Sequence, residues 1–274
     1  MKYILLLTLF LPLTPIACDG GEVENKNTHY HKISDVPDHI WKKLSGKTIY
    51  FGHQSVGYNI IDGVETILTE HSQIKMDIKE AYDPDDFRQG TLVHSRIGYN
   101  TDPKSKIDMF AFVAKSGGAM KSDIMILKLC YVDINSKTDV MALFEDYKET
   151  FKQLKTNYPN TIFIHMTTPL TALQDGPKAW IKKIMGRPLG GTFENKNRHE
   201  YNEMIRKTYL GQEPVFDLAS IESTFPDGSR ATFELNGTTY YCLVSEYTND
   251  GGHLNETGRK LVAEKLMVLF VNIL

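Results

Sequence analysis

Two short stretches at opposite ends of the sequence carry residue types suited to nucleophilic catalysis. Ser55 sits in FGHQSVGYN, directly after an apolar run that reads as a strand (Lys47 to Phe51). It is followed by Ile60, Ile61, Val64, Ile67 and Leu68 at helical spacing, so a helix is expected over 57–68. A hydroxyl at a strand-to-helix junction projects at the carboxyl edge of a sheet, where open α/β sheets hold their ligands. The first N–H groups of the coming helix lack intrahelical partners, and the helix dipole is positive at that end. A tetrahedral oxyanion formed by attack of Ser55 on a carbonyl would meet donors there. The same position also suits a plain helix N-cap, a role serine often fills.

The second stretch is Asp250-Gly251-Gly252-His253, followed by Leu254 and by a run from Asn255 to Leu274 that reads as a closing helix. Two glycines between Asp and His permit the tight backbone that lets the carboxylate accept the imidazole Nδ1–H. That contact fixes the tautomer and leaves Nε2 free to take a proton from a serine. A solvated turn with a helix cap is the competing reading of the same residues.

In these blocks, above all NDGGHLNETGRKLVAEKL over 249–266, the sequence resembles the SGNH (GDSL-like) hydrolase superfamily. The resemblance runs along the chain in order and spacing, and short motifs carry it. It implies Ser55 as nucleophile, His253 as general base and acid, Asp250 as the carboxylate that orients the histidine, and no cofactor. It also implies an oxyanion hole made of the Ser55 N–H, a glycine N–H from a second block and an asparagine side chain from a third. Gly98 in HSRIGYNTDP is the candidate glycine, with Gly90, Gly117 and Gly118 as competitors. The family's Gly-Asp-Ser reads Gly52-His53-Gln54-Ser55 here, and the third block reads Cys130-Tyr131-Val132-Asp133, without its Asn. Asn100, Asn135 or a backbone group are the candidates to replace that donor, whose loss costs about 10²–10³ in rate. His53, Gln54, Asp133 and Asn135 flank these blocks and are candidate substrate contacts, with structural hydrogen bonding the alternative for His53 and Gln54. His165, inside a strand, reads as a satisfied core histidine.

The elements that must position these residues alternate between apolar runs and amphipathic stretches. That pattern predicts one three-layer α/β/α domain with a mainly parallel sheet, of SGNH-hydrolase or flavodoxin-like type, over 36–274. Strands are expected at Ile124 to Tyr131, Thr161 to Met166 and Pro214 to Leu218, and helices over 140–154 and 194–210. Asn236-Gly237 inside 231–244 predicts a β-hairpin inserted beside the site. Residues 170–193 form a long Gly- and Pro-containing connection, the kind of segment that covers a site or moves. Within it Lys178, Lys182, Lys183 and Arg187 suit an anionic glycan or lipid headgroup, or simply a solvated helix face.

Composition bounds the rest. With 41% hydrophobic and 24% charged residues, the 274-residue chain can bury a sizeable core and is not a disordered type. A net charge of −3 provides no global field for a phosphate backbone, so no nucleic-acid partner is expected. Met1-Lys2, the apolar run from Tyr3 to Leu13 and the small residue before Cys18 have the layout of a secretory signal peptide over 1–17. Ala17-Cys18 resembles a lipobox, although Pro15 stands where leucine is usual. A lipidated Cys18 is therefore expected to begin a flexible polar tether over 18–35, which also holds His29 and His31. Cys130 and Cys242 either pair or lie buried, and no spacing matches a metal site. The expectation is an exported, cell-envelope serine esterase acting on a small-molecule or glycan ester, with O-acetyl groups preferred. It would touch membrane only through its lipid anchor. An O-acyltransferase with the same triad, or a binding protein that keeps the scaffold, are the alternatives.

Overall fold

The computed structural model describes residues 29–274; the expected signal peptide and Cys18 lie outside them. The central sheet has six strands: β1 (Ile49–His53), β2 (Asp77–Glu80), β3 (Thr91–Arg96), β4 (Ile124–Leu127), β5 (Ile162–Met166) and β6 (Val215–Phe216). All are parallel, in the order β2-β3-β1-β4-β5-β6. A hairpin, β7 (Thr232–Leu235) and β8 (Thr238–Tyr241), stands apart from the sheet; Asn236 and Gly237 at its tip both have positive φ, 53° and 77°. That is what a tight two-residue turn demands.

The helices are α1 (Asp38–Leu44), α2 (Val56–Glu70), α3 (Pro103–Val113), α4 (Ala119–Lys121) and α5 (Val140–Asn157). They continue as α6 (Pro177–Ile184), α7 (Thr192–Tyr209), α8 (Leu218–Glu222) and α9 (Glu256–Asn272). Strand side chains alternate between two cores. Ile49, Phe51, Ile124 and Ile126 face α1, α2, α8 and α9, while Tyr50, Met125 and Leu127 face α3, α5 and α7. Because both faces of the sheet are covered, its central strands are apolar throughout. The fold is thus the three-layer α/β/α arrangement with a parallel sheet.

Several boundaries differ from the sequence reading. The structured region reaches back before residue 36: Ile33 is in the core, and Asn272 of α9 hydrogen-bonds the backbone N–H and C=O of Tyr30. β4 stops at Leu127, four residues before Tyr131. After the Lys128 N–H donates to Gly52 O (3.0 Å), β1 has turned away toward Ser55 and no ladder is left to extend. The 170–193 connection contains α6. Cys130 and Cys242 are both free and buried.

β1 is flanked by β3 and β4, so the chain reverses its direction of travel across the sheet there, and the carboxyl end of β1 opens into the resulting crevice. α2 leaves from that point and packs along α9 very closely. A Cβ on Gly63 would stand 2.4 Å from the carbonyl oxygen of Arg259 and 2.8 Å from the Ala263 Cβ. Asp62 pairs with Arg259 (3.0 Å) and Glu70 with Lys260 (2.7 Å) along the same seam.

On the other end of that core, Glu222 of α8 is buried. Its carboxylate accepts the Leu170 N–H, and its backbone carbonyl accepts the Val244 N–H (2.9 Å). Burial pushes its carboxyl up to about 8 against the hydrogen bond from Leu170.

Two outcomes are expected. In an open helix Gly→Ala gains about 0.5–1 kcal/mol, but Gly63→Ala should instead destabilise by about 1–3 kcal/mol through overpacking, read from urea unfolding. For Glu222 the folded carboxyl keeps its proton to a higher pH than the unfolded one. Stability is therefore fully present below the ordinary carboxylate range and declines as pH rises to about 8. Glu222→Gln, neutral throughout, should flatten that decline.

Candidate active site

Ser55 joins β1 to α2 with φ 50° and ψ −108°. A positive φ at a non-glycine residue costs on the order of 1–3 kcal/mol and persists only when its surroundings impose it. Here they do. The Gln54 side chain donates from Nε2 to Ile97 O (2.9 Å) and to Gly98 O, and its backbone carbonyl accepts Gly57 N–H (3.0 Å) and the Cys130 thiol (3.5 Å). The ring of His53 fills the space beside Gly57, where a Cβ would lie 2.2 Å from the imidazole carbon. The turn can therefore form only with glycine at 57.

His253 arrives from the far end of the chain, just before α9. Its Nε2 lies 2.5 Å from Ser55 Oγ, and its Nδ1 lies 2.7 Å from Asp250 Oδ2. A carboxylate can only accept, so Nδ1 carries the proton and Nε2 faces the hydroxyl as an acceptor. Asp250 Oδ1 also takes the N–H groups of Gly252 (2.9 Å) and His253 (2.8 Å). Partial desolvation acts to raise the Asp250 carboxyl, but these two amides and the imidazole outweigh it and hold it well below the usual carboxylate range. The two glycines have different reasons. Gly251 has φ 86°, and a Cβ on Gly252 would stand 2.7 Å from the Tyr131 ring. Tyr131 in turn packs edge-on against the His253 ring, 5.8 Å between centroids. Asn59 of α2 accepts the Leu254 N–H (3.1 Å), tying the histidine's loop to the helix that Ser55 begins.

The Ser55 and Gly98 N–H groups have no acceptor among the described residues. Gly98 has φ 57° and lies so close to the start of α3 that a Cβ would meet Lys106 N at 2.5 Å. Its carbonyl is turned to Gln54, leaving the N–H free. Asn100 follows in the same loop; its Oδ1 accepts the Lys106 ammonium (3.0 Å), and its amide NH₂ has no partner among the described residues.

The flanking residues differ from the expected substrate contacts. His53 is fully buried, with Nε2 at 3.1 Å from His94 Nδ1, and desolvation pushes its imidazole down to about 2, so it stays neutral. Gln54 is buried and committed to the Gly98 loop. Asp133 has no exposed side-chain surface. It pairs with the equally buried Lys106 (2.6 Å) and accepts the N–H groups of Cys130 (2.6 Å) and Thr101 (3.0 Å). Asn135 is exposed but caps its own turn by accepting Lys137 N–H (2.9 Å). Of the four, only Asp133 has every side-chain oxygen engaged; His53 Nδ1 is buried without a partner, and the exposed Asn135 amide NH₂ has none among the described residues. His53, Gln54 and Asp133 hold the loops that frame Ser55. Sequence reasoning missed Lys106, Asn59 and Tyr131. Lys106 had a signal: in PKSKIDMF it shares a helix face with Phe110, an apolar position where a lysine needs a buried partner. His165 is a core histidine with both ring nitrogens bonded, to Tyr147 and Glu213 (both 2.9 Å).

Beside Asp250 a cavity of about 540 Å³ opens between Tyr131, Thr171, Gln174, Gly191 and Gly252. Among the described residues no group of three or more His, Cys, Asp or Glu side chains is placed to hold a metal ion.

No family model matches the sequence, and no curated protein matches it. Solved structures do. A GDSL-like lipase from Bacteroides thetaiotaomicron VPI-5482 superposes with a TM-score of 0.51 at 10% identity, covering 85% of this chain and 91% of that one. A protein assigned to the G-D-S-L lipolytic family from Desulfitobacterium hafniense DCB-2 matches at TM-score 0.44 and 15% identity, covering 81% and 97%. The periplasmic domain of a lipopolysaccharide acetyltransferase from Salmonella ser. Paratyphi A gives 0.42 and 12%, covering 81% and 83%. The chain shares the three-layer α/β/α fold of that GDSL-like lipase.

The buried Lys106–Asp133 pair is the support most open to test. Lys106→Met should cost about 3–5 kcal/mol by stranding the Asp133 charge, whereas Lys106→Met combined with Asp133→Asn should recover part of that loss. Chemical unfolding of the two variants checks it.

Proposed function

We propose that this chain is a serine hydrolase that cleaves ester bonds through an acyl-enzyme. The carrying observation is the unbroken line from Ser55 Oγ to His253 Nε2 and from Nδ1 to Asp250, set beside two unpaired backbone amides. In this reading the Ser55 Oγ–H proton passes to His253 Nε2 while Oγ bonds to the ester carbonyl carbon. The carbonyl electron pair moves to oxygen, and that oxyanion is held by the N–H groups of Ser55 and Gly98, with the Asn100 amide as a third donor. The intermediate collapses, the ester C–O bond breaks and the leaving alkoxide takes the proton from Nε2. A water then repeats the sequence, giving up its proton to His253, and the acid leaves Ser55 restored. A sugar hydroxyl in place of water would make the same steps an acyl transfer.

Asp250 stays ionised and keeps the imidazole in the tautomer that accepts at Nε2. The strain stored at Ser55 supports this role as well, because it holds the hydroxyl and its own N–H toward one point. For substrate we infer an O-acetyl ester on a glycan met outside the cytoplasm, a reading that rests on the export signal and Cys18 in the sequence.

A fluorophosphonate probe should label the wild-type chain at Ser55 and leave Ser55→Ala and His253→Ala unlabelled. Ser55→Ala should lower kcat on short acyl esters by about 10⁴–10⁶. A folded wild-type protein that takes up no label would overturn the proposal, and a panel of acetylated glycans against short acyl esters ranks the substrates.

A further inference from the structure

α6 is built inside out. At about 100° per residue, Trp180, Ile181, Ile184 and Met185 fall on one arc, and Ala179 lies diametrically across from it. Ala179 is the buried residue, 2% exposed, whereas the four large apolar side chains are 66%, 51%, 65% and 54% exposed. In a core helix the apolar arc would face the protein; here it faces away. Lys178 and Lys182 flank the arc on one side and Lys183 on the other, and Arg187 follows just beyond the helix. Lys182 donates to Gln174 (2.6 Å), while Lys178, Lys183 and Arg187 have no side-chain partner among the described residues. The segment 175–189 therefore carries four positive side chains against the single Asp175, in a chain whose net charge is −3.

We propose that α6 is a membrane-contact element that lies in the interface of a bilayer containing anionic lipid, its apolar arc among the acyl chains and its lysines at the headgroups. The charge decides the occupant. A rim of unpaired lysines around a tryptophan-bearing apolar arc is the composition that interfacial helices use. A second copy of this acidic chain would offer the lysines no comparable field, and four contiguous large apolar side chains are not left in water without reason. Gly176 (φ 84°) and Gly186 (φ 63°) bracket the helix in open space, on turns that only glycine forms easily, while the helix seats on the body through Ala179. The contact is distinct from any lipid on Cys18 and does not depend on catalysis. It places the membrane at the rim of the cavity beside Asp250, because Gln174 and Gly190, which flank the segment, line that cavity.

The chain has its own reporter. Of its two tryptophans Trp41 is fully buried, so only Trp180 can respond to a surface. Vesicles of phosphatidylglycerol and phosphatidylcholine with brominated acyl chains should quench about half of the Trp180 emission, and Trp180→Phe should remove the quenched component. Because the bromines lie among the acyl chains, the readout reports insertion of α6 even where an N-terminal lipid already holds the chain on the vesicle. Reversing Lys178, Lys183 and Arg187 to Glu should weaken quenching by at least about tenfold in lipid titration, and raised salt should act in the same direction. The Ser55→Ala variant should be quenched like the wild type. Unquenched Trp180 on these vesicles, or equal quenching on pure phosphatidylcholine, would sink the idea. So would a dimer that protects Trp180 in the absence of lipid, which would assign the face to a second copy.

Discussion

The site exists because two helices approach each other more closely than side chains normally allow. Where α2 crosses α9, Gly63 lets the backbones touch at Arg259, and the ends nearest the sheet's carboxyl edge are then joined by Asn59 and the Leu254 N–H. Ser55 heads one helix and His253 lies three residues before the other, so this single contact sets the distance between the hydroxyl and the imidazole. Tyr131 and Gly252 act as a second spacer, fixing the imidazole from the opposite side. Neither the Ser55–His253–Asp250 distances nor the unpaired amides require unusual residues at the site itself; they require this packing beneath it.

The framing of Ser55 is achieved by polar groups removed from water. Gln54 reaches across to the Gly98 loop, and Lys106 with Asp133 ties that loop to the end of β4. The neutral His53–His94 pair fills the space under the first turn of α2. A buried ion pair is rarely a net source of stability, since desolvation offsets most of the attraction. Its value here lies in geometry: with both Asp133 oxygens spoken for by Lys106 and two backbone amides, the loop bearing Gly98 and Asn100 has one place to be.

Much of this was legible in the sequence, and the reasons for the rest are physical. Long periodic runs announce themselves, which is why α2, α5, α7 and α9, the hairpin at Asn236-Gly237 and the parallel architecture were readable. β2 was not: DIKE has no apolar face because it is an edge strand, largely exposed, whose partner supplies the order. Nor was α3, where proline and lysines mask a helix held from within by Lys106. Ser55 and the Asp250–His253 block were readable because their chemistry restricts spacing locally. His53 and Gln54 were left open between substrate contact and structural hydrogen bonding, and Asp133 read as lining the cleft, because proximity in sequence to Ser55 says nothing about which way a side chain faces. The inverted polarity of α6 was hidden for the same reason, since its pattern fits an ordinary amphipathic helix until the buried side is known.

Ser55 is made early in synthesis and His253 among the last elements, with five further strands of the parallel sheet and the hairpin between them. Parallel pairing demands long crossovers, so such contacts close late in folding. A ribosome-bound chain lacking its last residues would thus carry Ser55 with no imidazole against its hydroxyl. The Ser55–His253 contact is in effect withheld until the polypeptide has been made through its closing helix.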